Sequence, residues 1–165
     1  MNLSRFILRS TVGPFEIYAH TDGLSPFVGE QSLGPIDLSK ATRLKHVKFW
    51  WRRDPRWAVK ALRTVTHDNR NLQLSLETTW GSYGHRVGSD DLGVLLDDIG
   101  DACYQGWLEL DSVLAQLWES HSIRPEVTYN VPMWMGKGTG RRMQILLPEV
   151  TARGIVDLVE QNVRW

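Results

Sequence analysis

The sequence RLKHVKFWW at residues 43–51 decides the fold, because it alternates apolar and basic residues as a strand with one buried face does. Asp54 and Pro55 then provide an N-cap and a proline at the first helical position. WAVKALRTV at residues 57–65 has apolar side chains at helical spacing, and LQLSLETT at residues 72–79 alternates again. This stretch therefore predicts a strand, a helix and a second strand.

Equivalent positions of the two predicted strands recur at a short spacing. Val47 and Leu74 hold the same place in the alternation and are 27 residues apart. A unit of this length buries its apolar face only against a neighbouring unit, which is typical of repeat proteins. Leu74 and Val127 are 53 residues apart, close to two such units. An irregular unit with two helices fits that interval.

The other elements are predicted from the same two periodicities. We expect the strands to lie side by side, mostly parallel, with the helices on one face of the sheet. Gly106 separates the last two of these helices, and a glycine-rich loop covers residues 133–142. The predicted strands are 15–19, 45–51, 72–78 and 126–130, and the predicted helices are 56–66, 91–104 and 108–119.

A further helix is predicted at residues 146–161, where it would cap the stack of repeats. Pro148 and Glu149 favour its start. Its apolar positions are expected to pack on the last strand, and they are Leu147, Val150, Ile155, Leu158 and Val159.

Length and composition place the chain among globular proteins of one domain, residues 1–165. Cys103 is the single cysteine, so no intrachain disulfide can form and a reducing, intracellular compartment (cytoplasm or nucleus) is expected. No apolar run approaches the roughly 18 residues of a membrane span, and we expect no membrane partner. The net charge is zero, which favours self-association.

The zero net charge hides an asymmetry between two adjacent blocks. Residues 40–70 carry ten Lys or Arg and two Asp, whereas residues 71–126 carry ten acidic residues and two Arg. Two interpretations are open. Either two solvated faces partly cancel each other's fields, or a basic strip binds an acidic partner or nucleic acid.

No catalytic or metal-binding constellation stands out in the sequence. The five histidines are not paired at metal-ligand spacing, and Cys103 lies on the apolar face of a predicted helix. The aspartates at residues 90–101 are typical of a solvated acidic face. The loop GKGTGRR at residues 136–142 offers glycines and cations to an anion, but the order of a phosphate-binding loop is absent. We therefore expect a protein without catalytic residues, metal or cofactor.

Aromatic and basic side chains alternate in and after the first predicted strand. Trp51 continues the inward phase of Val47 and Phe49, whereas Trp50 points outward with Lys48. Such a mixture stacks on bases and neutralises phosphates, or forms hot spots at protein interfaces. The candidate binding residues are Lys45, Lys48, Trp50, Arg52, Arg53, Arg56, Lys137, Arg141 and Arg142.

Several segments of the chain are similar to those of one kind of protein. They are LSKATRLKHVKF at 38–49, WLELDSVL at 107–114, RPEV at 124–127 and LLPEVTARG at 146–154. Together they resemble fungal leucine-rich-repeat and F-box-like proteins of unknown function, over roughly residues 36–160. The resemblance implies an irregular leucine-rich-repeat-like fold used for binding, and it carries no catalytic residue across. Residues 5–12 show no F-box pattern.

These observations predict an α/β fold of irregular leucine-rich-repeat-like β-α repeats, a solenoid, with a C-terminal capping helix. A compact α+β domain is the alternative. The predicted function is a non-enzymatic protein-interaction module with a protein partner. The alternative function is nucleic-acid or phosphate-ligand binding through the basic and aromatic strip at residues 45–57.

Overall fold

Four parallel strands form one sheet in the order in which they occur along the chain. The computed structural model describes residues 37–40, 46–51, 54–69, 72–79, 100–132 and 139–163. Within these residues the strands are β1 (His46–Trp51), β2 (Gln73–Thr79), β3 (Pro125–Pro132) and β4 (Asp157–Val163). The predicted α/β class and the parallel pairing of the strands at 45–51 and 72–78 are confirmed.

Helices connect the strands. They are α1 (Arg56–Leu62), α2 (Asp101–His121), α3 (Thr139–Leu146) and α4 (Pro148–Ala152), with short 3-10 helices at Leu38–Lys40 and His67–Asn69. Crossovers between parallel neighbouring strands are right-handed, which places successive helices on the same face of a sheet. The predicted strand at 15–19 and the part of a predicted helix at 91–99 lie outside the described residues.

The register of the sheet separates its two faces. Val47 pairs with Leu74 and Leu76 pairs with Val127, and all four side chains are buried in one core with the helices. Because successive strand residues point to opposite faces, the residues between them lie on the other side. We call that side the open face. It carries His46, Lys48, Trp50, Gln73, Ser75, Glu77, Glu126, Thr128, Asn130, Asp157, Val159 and Gln161.

Aromatic rings join β1 to the helices. The ring of Trp51 lies 5.5 Å from that of Trp107 in α2, and the ring of Phe49 lies 5.3 Å from that of Trp57 in α1. Edge-on and tilted pairs at these distances stabilise aromatic packing beyond the area they bury. Trp51 is fully buried, as its phase in the sequence predicts.

The helix α2 passes through Gly106 without a break, so the predicted separation of two helices at this residue is wrong. Gly106 is buried against the start of α1. A Cβ atom on Gly106 would lie 2.8 Å from Arg56 Cγ and 2.9 Å from Asp54 Oδ1. The glycine thus allows a close approach between two elements, and packing outweighs its low helix propensity.

The predicted capping helix at 146–161 is also wrong. Helix α4 ends at Ala152, and Gly154 has a positive φ of 63°, a conformation that ends helices readily. Residues 157–163 then form β4, which pairs in parallel with β3. Val150 and Ile155 are buried, as expected, but Val159 is 42% exposed on the open face.

A buried carboxylate connects α2 to α4. Asp111 is 4% exposed, and its Oδ2 and Oδ1 atoms accept hydrogen bonds from the backbone N–H groups of Glu149 (2.8 Å) and Val150 (3.0 Å). These donors belong to the first turn of α4, which has no side-chain cap of its own. Burial raises the pKa of Asp111 above its usual value, against the opposing effect of the two hydrogen bonds.

Replacing Asp111 tests this connection. Asp111→Ala leaves the N–H groups of Glu149 and Val150 without an acceptor, and we expect it to lower the free energy of unfolding by roughly 2 kcal/mol. Ser112→Ala, at the exposed neighbouring position of the same helix, is the control and is expected to change it little. Denaturant unfolding of the three proteins measures the difference.

The pKa of Asp111 predicts a pH dependence with a defined sign. A carboxyl whose pKa is raised on folding binds its proton more tightly in the folded state, so its contribution to stability falls as pH rises above the ordinary value of 3.8. We expect the free energy of unfolding of wild type, relative to that of Asp111→Asn, to fall as pH rises above 3.8. A relative gain with rising pH would show that the two hydrogen bonds outweigh burial.

Candidate functional site

The open face is the candidate site, because its side chains form regular rows across the four strands. Strand pairing sets each row, since partners in neighbouring strands lie about 4.8 Å apart. The first row is Lys48, Ser75, Glu126 and Asp157, and the second is Trp50, Glu77, Thr128 and Val159. A third row contains Asn130 and Gln161. Basic and aromatic residues thus lie on β1, and acidic and apolar ones lie on β3 and β4.

A hydrogen-bonded network occupies the centre of the open face. Lys48 Nζ lies 2.6 Å from Glu77 Oε2, and Asn130 Nδ2 donates to Glu77 Oε1 at 2.5 Å. The network links three neighbouring strands, and it neutralises the charge of Lys48. Asn130 is 6% exposed, and its Oδ1 atom has no hydrogen-bond partner among the described residues.

Apolar surface flanks this network on both sides. Trp50 is half-buried on β1, and Val159 is the large apolar side chain that the described part of the chain exposes most, on β4. Both belong to the same row as Glu77. An aromatic side chain, a polar centre and an aliphatic side chain thus follow one another in a single row across the four strands.

The β4 side of the open face is acidic. Glu126 is exposed, and its register partner Asp157 forms an ion pair with Arg124 at 2.6 Å.

Tyr129, which points to the core side, donates its hydroxyl to Glu160 Oε2 at 3.2 Å. Burial and the neighbouring Glu160 raise the pKa of Tyr129 to about 12, so the hydroxyl remains protonated at neutral pH and is no general base.

The candidate binding residues predicted from the sequence do not form one cluster. Lys48 and Trp50 share the open face, whereas Arg56 lies at the start of α1 with Nη2 2.5 Å from Asp54 Oδ2. Arg141 is exposed on α3. The other members lie outside the described residues, and they are Lys45, Arg52, Arg53 and Lys137.

The predicted loop at 133–142 requires a correction. Its last residues, 139–142, belong to helix α3, which runs from Thr139 to Leu146. Arg142 is only 5% exposed, so its guanidinium offers no open surface to an anion. The remainder of that loop, 133–138, lies outside the described residues.

The two charged blocks meet on the helix side of the sheet. Arg63, just after α1, lies 3.2 Å from Glu109 of α2. Helix α2 packs on Trp51, which points away from the open face. The described part of the acidic block in α2 therefore does not lie over Lys48 and Trp50. The partner of Lys48 comes from the neighbouring strand instead.

Groups that often carry chemistry lie apart from one another. His46 Nε2 is 3.0 Å from Ser75 Oγ, and the rings of His67 and His121 stack with centroids 6.4 Å apart. Cys103 is half-buried in α2. Within the described ranges, no group of three or more His, Cys, Asp or Glu side chains is arranged to hold a metal ion.

Comparisons with known proteins add no further information about the site. No protein-family model, curated protein sequence or solved structure matches this chain. Among the helices in the described residues, none combines the length and the apolar character needed to cross a membrane.

Sequence reasoning missed three residues of the open face. Glu77 is visible in the alternation of β2, but its two partners come from other strands. Asn130 follows Tyr129 in β3, where no pattern distinguishes it from a surface residue. Val159 fits a helical spacing with Ile155, which favours the wrong element. The register between strands carries the missing information, and no local pattern encodes it.

Substitutions in the network should differ in cost. Glu77→Ala leaves the buried Asn130 Nδ2 without an acceptor, and we expect a loss of roughly 2 kcal/mol in the free energy of unfolding. Lys48→Ala removes an ion pair whose side chains are 30% and 18% exposed, and it should cost less, about 1 kcal/mol. Glu126→Ala, on the same face but exposed, is the control. Equal losses for the substitutions at Glu77 and Glu126 would contradict a network centred on Glu77.

Proposed function

We propose that this protein is a non-enzymatic protein-interaction module with an irregular leucine-rich-repeat-like arrangement of β-α units. Its open face binds a polypeptide partner, with Trp50 as the principal contact. The observation that supports this most is the arrangement of the sheet, because the described helices pack on one face, and the rows on the other face carry mostly half-buried and exposed side chains. The single cysteine supports an intracellular setting.

The composition of the open face favours a polypeptide over a strongly charged ligand. Lys48 is neutralised by Glu77, and Asp157 by Arg124. The same face carries a half-buried indole, an exposed valine and groups that donate or accept hydrogen bonds. Aromatic residues at the centre of a polar surface contribute disproportionately to protein binding.

Nucleic-acid binding through residues 45–57 is the alternative, and the described cations support it less. Lys48 and Arg56 each have a carboxylate within ion-pair distance, so a phosphate would have to compete with an existing partner. A nucleic-acid complex would lose affinity steeply as salt increases, because each phosphate contact releases a counterion.

The experiment is a selection of random linear peptides displayed on phage against the full chain, followed by titration of the synthesised consensus peptide. We expect Trp50→Ala to weaken binding by about tenfold or more, since truncation of a central aromatic contact typically costs at least 1–2 kcal/mol. Gln116→Ala, an exposed position of α2, is the matched control and should leave affinity unchanged.

Two outcomes would overturn the proposal. One is a set of selected peptides whose affinity does not depend on Trp50. The other is tight, salt-sensitive binding of a single-stranded or duplex oligonucleotide at low ionic strength together with no selected peptide. The oligonucleotide titration is run at two salt concentrations on the same protein preparation, which separates the two functions directly.

A further inference from the structure

Only the nitrogen of the Asn130 carboxamide makes a hydrogen bond among the described residues. Its Nδ2 group donates to Glu77 Oε1 at 2.5 Å, and Glu77 Oε2 is held by Lys48 Nζ at 2.6 Å. An ionised carboxylate can only accept hydrogen bonds, so the amide nitrogen and not the oxygen must face Glu77. The orientation of the side chain is therefore fixed by chemistry. Its Oδ1 atom is buried without a hydrogen-bond donor among the described residues.

A buried acceptor without a donor is costly to the free protein. Such a group costs roughly 1–3 kcal/mol. A ligand group that donates a hydrogen bond to Oδ1 would remove this cost, and the cost would then contribute to the binding free energy. Asn130 lies near the carboxyl end of β3, at the edge of the sheet where open α/β sheets receive ligands.

We propose that Asn130 Oδ1 accepts a hydrogen bond from a neutral N–H group of the bound polypeptide, either a backbone amide or a carboxamide side chain. This inference rests on the proposed function and specifies how the partner is recognised. A neutral donor fits this acceptor, because the charges of Lys48 and Glu77 already compensate each other within the network.

The geometry of the sheet also sets the spacing in the partner. Trp50 and Asn130 lie on strands two apart, and Asn130 is two residues beyond the row that contains Trp50. With strands about 4.8 Å apart and a rise of about 3.3 Å per residue, the two positions are separated by about 12 Å. An extended segment spans this distance in about four residues. The partner therefore places an apolar side chain on Trp50 and its donor about four residues away.

The test is a cycle that combines a protein substitution with a chemical change in the peptide. The probe is the consensus peptide selected on the full chain, together with a series in which each backbone nitrogen is methylated in turn and each carboxamide side chain is replaced. Asn130→Leu removes the acceptor at similar size. Gln144→Leu, at an exposed position of α3, is the control. Thermal unfolding of each variant confirms that it folds.

We expect Asn130→Leu to weaken binding of the peptide about tenfold and Gln144→Leu to change it less than about threefold. One of the modified peptides should bind wild type about tenfold more weakly than the parent peptide does. On Asn130→Leu, the same modified peptide and the parent peptide should bind with equal affinity. Should Asn130→Leu fail to fold, the nitrogen-15 shift of the Asn130 carboxamide in wild type replaces it. That shift should then differ between the parent peptide and the modified one.

The results distinguish this inference from the proposed function. Loss of binding with Trp50→Ala, together with no effect of Asn130→Leu or no coupling to any peptide modification, overturns the hydrogen bond and leaves the interaction module. Peptides that bind independently of Trp50 overturn both. Binding of an oligosaccharide or oligonucleotide that depends on Asn130, together with no selected peptide, overturns the choice of a polypeptide.

Discussion

The in-register parallel pairing of β1 with β2 and β3 is the constraint on which the remaining structure depends. It places Val47, Leu74 and Val127 on the helix-covered side and, by alternation, places their neighbours on the open face. A shift of one residue in β1 would exchange Trp51 for Trp50 in the contact with Trp107. Each large side chain exposed by such a shift would forfeit about 1.5–3 kcal/mol, so the register is strongly specified.

Two polar contacts extend this arrangement to the later part of the chain. Asp111 of α2 holds the start of α4, and α4 leads through Gly154 to β4. Glu77 of β2 holds Lys48 and Asn130 and thereby links three strands on the open face. The first contact is buried among helices, whereas the second lies on the open face. In both contacts a carboxylate accepts hydrogen bonds from donors that lie far away in sequence.

The sequence was sufficient to predict the elements whose signals are local. The alternation of Val47, Phe49 and Trp51 and the helical spacing of α1 predicted β1, α1 and β2 and their parallel relation. Elements whose conformation depends on tertiary contacts could not be predicted from the sequence. The glycine at 106 suggests a break until Arg56 and Asp54 are placed beside it. The spacing of Ile155, Leu158 and Val159 fits a helix until β3 is available as a pairing partner for β4.

The candidate site was predicted in part for the same reason. The outward phase of Lys48 and Trp50 is a property of β1 alone, and the structure places both on the open face. The roles of Glu77 and Asn130 depend on which strands are neighbours and on their register, which cannot be read from either strand. Arg142 illustrates the opposite error, since a cation in a glycine-rich segment suggests an anion site although its side chain is buried on α3.

Hydroxyl-radical footprinting of the two adjacent tryptophans tests the one-sided sheet most directly. Trp50 and Trp51 have the same intrinsic reactivity, so mass spectrometry of the peptide that contains both reports their accessibility alone. The account predicts that Trp50 is oxidised readily, whereas Trp51, buried against Trp107, is oxidised only when the protein unfolds. Equal protection of both rings would mean that the open face is covered, and preferential oxidation of Trp51 would mean that the register assigned to β1 is wrong.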